Sequence, residues 1–431
     1  IFYAWGEPRY LAIMIITILV NYAGAILLDK HYSSRQRLWI VSLTIVLDLS
    51  FLFYFKYFNF VVDNINGVLA TDFQLLDIIM PIGISFYTFQ AMSYLIDVYR
   101  REVPAQKDVY KLALYIVLFP QLVAGPIVKY HDVCEQIDNR TIEFKNVIIG
   151  FKRFITGLAK KVLIANTLAE VVDKIFAQAP ENLTTGVSWL GAVAYCLQLY
   201  YDFSGYSDMA IGLGLMFGFR FLENFNYPYI SKSITEFWRR WHISLATWFK
   251  LYLYIPLGGN RKGAVRTYWN LFAVFLVTGI WHGAAWSYVA WGIWNGIFIV
   301  IERFFGLDKD KNDRWYVSAA KHVYAFFAIV WGMIIFRAES LSYAYEYICR
   351  MLHIDVTKHL PDYDYGVNNK FAIMLIVGLI CAMPVCRNLI YIKYEHKVQR
   401  TLVNIWLFLL FFWSTISLAA STYNPFIYFR F

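Results

Sequence analysis

The stretch WNLFAVFLVTGIWHGAAWSYVAWGIWNGIFIVIE, residues 269–302, holds one charged residue, Glu302, at its very end and one histidine, His282, in its interior. It is far too long for a strand and apolar on every face, the pattern of helices whose solvent is lipid. About 17–25 apolar residues cross a hydrocarbon core of about 30 Å, so the stretch reads as two crossings, 268–285 and 286–304. Runs of similar character recur near 10–28, 38–60, 75–97, 109–128, 187–201, 205–222, 320–336, 371–391 and 401–420, for about eleven crossings in all. A shorter amphipathic stretch lies at 340–352. The fold expected is all-α: a polytopic integral membrane protein with amphipathic or re-entrant helices beside its spans, and one domain over residues 1–431.

Composition leads to the same class. The chain is 59% hydrophobic, 19% aromatic and 16% charged, whereas soluble domains run about 45–50% apolar and about 25% charged. The net charge of +9 is unevenly spread. DKHYSSRQR (29–37), YRREVPAQKDVYK (99–111), GGNRKGAVR (258–266) and RNLIYIKYEHKVQR (387–400) are basic loops, and VVDNINGVLATDF (61–73), APENLTTG (179–186) and HIDVTKHLPDYDYG (353–366) are acidic or nearly neutral. Lys and Arg remain on the cytoplasmic side, which puts both termini outside. The positive charge is then a matter of topology, and a nucleic-acid partner is not expected. The start at IFYAWGEPRYL leads us to expect further sequence before it. The five cysteines, Cys134, Cys196, Cys349, Cys381 and Cys386, show no paired spacing and read as small buried hydrophobes.

Two regions depart from plain spans. In VIIGFKRFITGLAKKVLIANTLAEVVDKIF (147–176), Lys152, Arg153, Lys160 and Lys161 recur at helical spacing, as in a helix near the cytoplasmic surface. In SKSITEFWRRWHISLATWFKLYLYIPLGGNRKG (231–263), Ser233 and Glu236 suit a capping box. The helix they start would line Thr235, Trp238, His242, Leu245 and Phe249 along one face, and its tryptophans favour the membrane boundary.

Ionisable groups in lipid are costly and are functional candidates. His242 and His282 are the outstanding ones. Desolvation favours the neutral imidazole, which can accept a proton as a general base. The alternative is a core histidine bonded to a backbone carbonyl or to Thr278. Gly279 and Gly283 bracket His282 at a spacing that permits close backbone approach, and Gly292 and Gly296 repeat it beside Asn295. Asp202, Ser204, Ser207 and Asp208 interrupt YCLQLYYDFSGYSDMAIGLGLMFGFRFLENFNYPYI (195–230) and need donors or water. The scattered histidines lack metal-ligand spacing, so no metal is expected.

The blocks YYDFSGYSDMAIGLGLMFGFRFLENFNYPYISKSITEFWRRWHISLATWF (200–249), YLYIPLGGN (252–260) and TGIWHGAAWSYVAWGIWNG (278–296), with FPQLVAGPI (119–127) and FRAES (336–340), are similar to the membrane-bound O-acyltransferases. The resemblance is to the bacterial branch that O-acetylates alginate and peptidoglycan, and more distantly to the D-alanyl transfer protein of teichoic acids. It implies a catalytic core near 117–300 around a central tunnel, in the bacterial cytoplasmic membrane. His282 would be the catalytic histidine and His242 the second. The second histidine would orient the first, bind substrate or stabilise the oxyanion. No bound cofactor is implied; acetyl-CoA would be the donor substrate. An extracytoplasmic partner of the SGNH-hydrolase type would complete transfer to a polysaccharide. The tail STYNPFIYFRF (421–431) resembles endings in which a tyrosine receives the acyl group, which makes Tyr428 an acyl acceptor; an aromatic anchor is the plainer role. Arg239, Arg240, Trp241, Asn295 and Asp208 are further candidates for binding substrate or coenzyme A, the two arginines through its phosphates. Outside this class, a transporter or flippase of a polar lipid or polymer would also need embedded polar residues. An acyltransferase acting on a lipid or protein is the nearer alternative.

Overall fold

A computed structural model of the chain describes residues 2–30, 32–123, 125–308, 313–353, 363–386, 397–421 and 423. Among them every regular element is helical, as the apolar patterning predicts. Helices of seven residues or more are α1 (Leu11–Asp29), α2 (Ser34–Leu52), α3 (Phe58–Leu69), α4 (Ile84–Arg100), α5 (Val109–Val117), α6 (Tyr130–Asn139), α7 (Phe144–Ala159), α8 (Asn166–Phe176) and α9 (Thr185–Met216). They continue as α10 (Ile234–Arg240), α11 (Ile243–Phe249), α12 (Ala264–His282), α13 (Trp286–Phe305), α14 (Trp315–Arg337), α15 (Leu341–Leu352), α16 (Asn369–Cys381) and α17 (Lys397–Ala420). Widened π-type turns at Phe53–Tyr57, Lys160–Ala165 and Lys250–Tyr254 carry the helix on without a break. Among the described residues four stretches are both long and apolar enough to cross a bilayer unaided: Pro8–Asp29, Ser34–Leu69, Trp315–Arg337 and Val398–Ala420.

The residues gather into two compact units, Ile1–Gly150 with Leu213–Leu222, and Phe151–Gly212 with Glu223–Phe431. In the first, α4 is the core, with Tyr87, Tyr94 and Leu95 buried and α1 and α2 packed against it. A side chain at Gly24 would come within 2.8 Å of Thr44 Oγ1 and 3.1 Å of Leu95 Cδ1, so only glycine admits this contact. Asn21 donates to the buried Asp48 at 2.9 Å, joining α1 to α2 where no water is available to either group. The second unit is built around the hairpin of α12 and α13, with α14 and α10 packed on α13.

Several sequence expectations change. The spans at 187–201 and 205–222 form one helix, α9, whose last residue is Met216. Asp202 and Asp208 suggested a break, but Lys161 pairs with Asp202 at 2.7 Å, and Arg153 and Lys160 meet Asp208 at 2.9 and 2.7 Å. Paired carboxylates do not have to leave the helix to find water. Arg153, Lys160 and Lys161 of 147–176 are therefore partners of Asp202 and Asp208. The run at 109–128 is divided into α5 and a single turn at Phe119–Leu122, because Pro120 and Pro126 cannot continue a helix. The run at 75–97 is helical only from Ile84, and that at 371–391 gives α16 up to Cys381, with 387–396 outside the described residues. Ser233 does cap α10, its hydroxyl accepting from the amide of Glu236 at 2.9 Å. The continuous helix from Thr235 to Phe249 does not form, however. It breaks at Trp241–His242, where His242 takes a left-handed backbone with φ +45°.

Candidate active site

His282 is the last residue of α12. Gly279 sits so close to α13 that a Cβ there would strike the carbonyl of Tyr288 and approach Gly292 Cα at 2.9 Å. At Gly283 it would enter the Tyr288 ring. The glycines thus serve the tight packing of the hairpin, which fixes where its turn holds the imidazole. The ring is buried and boxed edge-on by Trp281, Trp291 and Phe336, at centroid separations of 4.9, 5.0 and 5.2 Å. Thr278 turns back on its own helix, donating to the carbonyl of Val274 at 2.7 Å. At about 1.5 Å per residue, α12 separates His282 from the basic loop at its other end by roughly one hydrocarbon thickness.

His242 occupies the joint between α10 and α11 and has no exposed surface. Its Nδ1 lies 3.2 Å from Asn224 Oδ1, and the edge of Phe203 closes one side at 4.6 Å. The same Asn224 oxygen accepts from the Ser244 amide at 3.1 Å and hydroxyl at 2.9 Å, and the Asn224 amide donates to Ser207 at 3.0 Å. Burial alone pushes the imidazole down to about 3, with no charged neighbour contributing, so it stays neutral at any ordinary pH. Its Nε2 finds no hydrogen-bond partner among the described residues.

A chain of ring contacts links the two histidines. His282 meets Trp291, which meets Trp238 at 5.5 Å, then Phe237 at 5.7 Å, Trp241 at 5.4 Å, Phe225 at 5.1 Å, Phe203 at 4.9 Å and finally His242. Helix α13 ties this chain down. Trp238 donates to Asn295 at 3.0 Å. Glu302, wholly buried, accepts from the Ile234 amide (2.5 Å), the Thr235 amide (2.8 Å), the Thr235 hydroxyl (2.6 Å) and the Tyr324 hydroxyl (3.0 Å). Trp291, Asn295 and Glu302 are spaced by four and seven residues and so share one face of α13. A carboxylate at the start of α10 also satisfies amides that have no partner within that helix.

The other candidates fall into place around this frame. Trp241 is inside the aromatic stack. Asn295 has its oxygen on Trp238 and its amide on the Trp291 carbonyl at 2.8 Å. Asp208 is held by Arg153 and Lys160. Arg240 pairs with Glu236 at 2.9 Å and donates to the Asn226 carbonyl at 3.1 Å, while Arg239 is exposed. Tyr428 lies outside the described residues. Nearby Tyr423 is described, and its hydroxyl donates to Asp173 at 2.5 Å. Asp173 pairs with Arg337 at 3.0 Å, and Arg337 follows Phe336, the residue against His282. Among the described residues no cluster of histidines, cysteines and carboxylates suits a metal ion.

Asn224, Ser244, Asp173, Arg337 and Glu302 were not singled out by sequence. Glu302 alone had left a signal, as the only charged residue of the opening stretch. The Asn224–His242 contact spans 18 residues that include a loop and the whole of α10, and no periodicity connects such positions.

A family model for the membrane-bound O-acyltransferases matches residues 105–342, which include both histidines, Asn224 and Glu302. The chain is 42% identical to the probable alginate O-acetylase AlgI of Pseudomonas putida, over all of this chain and 92% of that protein. It is 32% identical to the peptidoglycan O-acetyltransferase of Helicobacter pylori, over 92% of this chain and 81% of that one. With the teichoic acid D-alanyltransferase of Bacillus subtilis it shares 28% identity over 61% of this chain and 70% of that protein.

Proposed function

The chain belongs to the membrane-bound O-acyltransferase family, and from that premise we propose that it carries an acetyl group from cytoplasmic acetyl-CoA to an extracytoplasmic hydroxyl, for O-acetylation of an envelope or secreted polysaccharide. It is a multi-pass membrane protein, in our reading of the bacterial cytoplasmic membrane with both termini outside. The relatives named as alginate O-acetylase and peptidoglycan O-acetyltransferase support the choice of acyl group and polymer class. An extracytoplasmic hydrolase-like protein then takes the acetyl group to the glycan.

In this reading His282 accepts the proton of the attacking hydroxyl. The hydroxyl oxygen bonds to the thioester carbonyl carbon, the carbon–sulfur bond breaks, and the imidazolium returns its proton to the departing thiolate. General-base catalysis of this kind is worth about 10²–10⁴ in rate, and a dry aromatic enclosure keeps water from competing for the thioester. In this reading Arg239 and Arg240 meet the phosphates of coenzyme A.

What supports the relay is that Tyr423, five residues before Tyr428, donates to Asp173, whose partner Arg337 is next in sequence to Phe336, the residue against His282. Tyr428 follows Tyr423 by five residues, a reach of at most about 17 Å in extended chain. We expect intact-protein mass spectrometry after incubation with acetyl-CoA to find one added acetyl group on the C-terminal peptide. The adduct should be absent from Tyr428→Phe, along with free coenzyme A release. An equal adduct in both proteins would remove Tyr428 from the path.

A further inference from the structure

Asn224 is an unusual partner for a catalytic-site histidine, because histidines that act as strong bases are commonly backed by a carboxylate. Its oxygen receives the Ser244 amide and hydroxyl, and its own amide is committed to Ser207. These contacts fix which end of the side chain is oxygen and which is nitrogen. The atom facing His242 Nδ1 is an acceptor, so Nδ1 must carry the proton. The remaining nitrogen, Nε2, then presents a lone pair. It is buried and finds no hydrogen-bond partner among the described residues, and a buried polar atom in that condition is costly until something donates to it.

We infer that Asn224 is a positioning residue that locks His242 in its Nδ1-protonated form, so that Nε2 accepts a hydrogen bond from an O–H or N–H group of the bound substrate. This rests on the acetyl-transfer reading above and narrows the part His242 plays in it. A nitrogen without hydrogen has nothing to give a developing oxyanion, so that role is closed to His242. The left-handed backbone at His242, held by Ile243 N on the Asn224 carbonyl at 3.0 Å and Asn226 N on the Arg240 carbonyl at 2.9 Å, aims the ring at Asn224 from the opposite side of the loop. The neutral amide matters as much as its geometry. A carboxylate in its place would stabilise the imidazolium, so that below the raised imidazole pKa Nε2 would carry a proton and the acceptor would be lost. Among the described residues no charged group acts on this ring, which meets Asn224, Ser244 and Phe203.

Two measurements test this on the full-length protein in detergent or nanodiscs. The first is nitrogen NMR of histidine-labelled protein, with His242→Gln to assign the signal. We expect one neutral ring with Nδ1 protonated and Nε2 bare, unchanged across pH 5–9. An Nε2-protonated ring overturns the inference whatever the activity, so this readout stands apart from the fate of the acetyl-transfer reading. The second is kinetic. Asn224→Ala should lower kcat about 100-fold while KM for acetyl-CoA stays put. Asn224→Asp should keep near-normal kcat at high pH but acquire an acid limb. The new carboxylate raises the imidazole pKa, so the acceptor form is lost as pH falls through that raised value. Asn224→Asp with the wild-type pH profile, or Asn224→Ala with wild-type kcat, would overturn the positioning role.

Discussion

Replacing His282 with alanine is expected to abolish acetyl transfer, by about 10³-fold or more, while the protein still inserts and purifies as a folded species. The imidazole is enclosed by Trp281, Trp291 and Phe336, so its loss opens a hole of ring size but leaves the backbone contact of Gly279 and Gly292 intact. That contact, rather than the histidine, holds α12 to α13. Water entering the hole is a far weaker base than the imidazole it replaces. Radiolabelled acetyl-CoA and size-exclusion chromatography on the same preparation separate the two effects. Turnover within tenfold of wild type, in a preparation that elutes normally, would remove His282 from the chemistry.

The second large effect should come from Glu302, which touches neither histidine. Its carboxylate receives four donors, two of them the first amides of α10. In Glu302→Ala those amides are left buried and unanswered, at roughly 1–3 kcal/mol for each group. A seven-residue helix has little else to hold its start, so we expect α10 to come loose locally rather than the whole chain to unfold. Trp238 and the His242 joint move with it, and a displacement of about 1 Å is enough to cost about 10²-fold in rate. Glu302→Gln should fall between, since one oxygen still accepts but the amide nitrogen opposes an N–H donor. Hydrogen exchange at Ile234 and Thr235 should quicken in step with the loss of activity. Wild-type turnover in Glu302→Ala would show that the anchor has no bearing on the site.

His282 and His242 could be singled out in the sequence because each is a polar ring where lipid or aromatic residues surround it, and an isolated polar group in such a run is costly enough to need a reason. The capping serine of α10 was legible for a similar reason: Ser233 acts on a backbone amide three residues away, within the reach of a local rule. The division of α9 and the continuous helix through His242 were misread on the same principle. Local pattern treats Asp202 and Asp208 as interruptions and 235–249 as a single amphipathic face. Lys161, Arg153 and Lys160 on a different helix cancel the first effect, and the Asn224 loop imposes the second.

Taken alone, the chain's order of residues determined the solvent and the helical class and picked out the two histidines as candidates, since each of these follows from composition or from neighbours within a few turns; the family was legible through the resemblance of whole sequence blocks. Only tertiary structure decided what those histidines touch. The tautomer of His242, the anchoring of α10 by Glu302 and the docking of Tyr423 on the Asp173–Arg337 pair each join residues distant in sequence. Hydrogen-bond direction depends on which atoms meet in space, and it leaves no periodic trace along the chain.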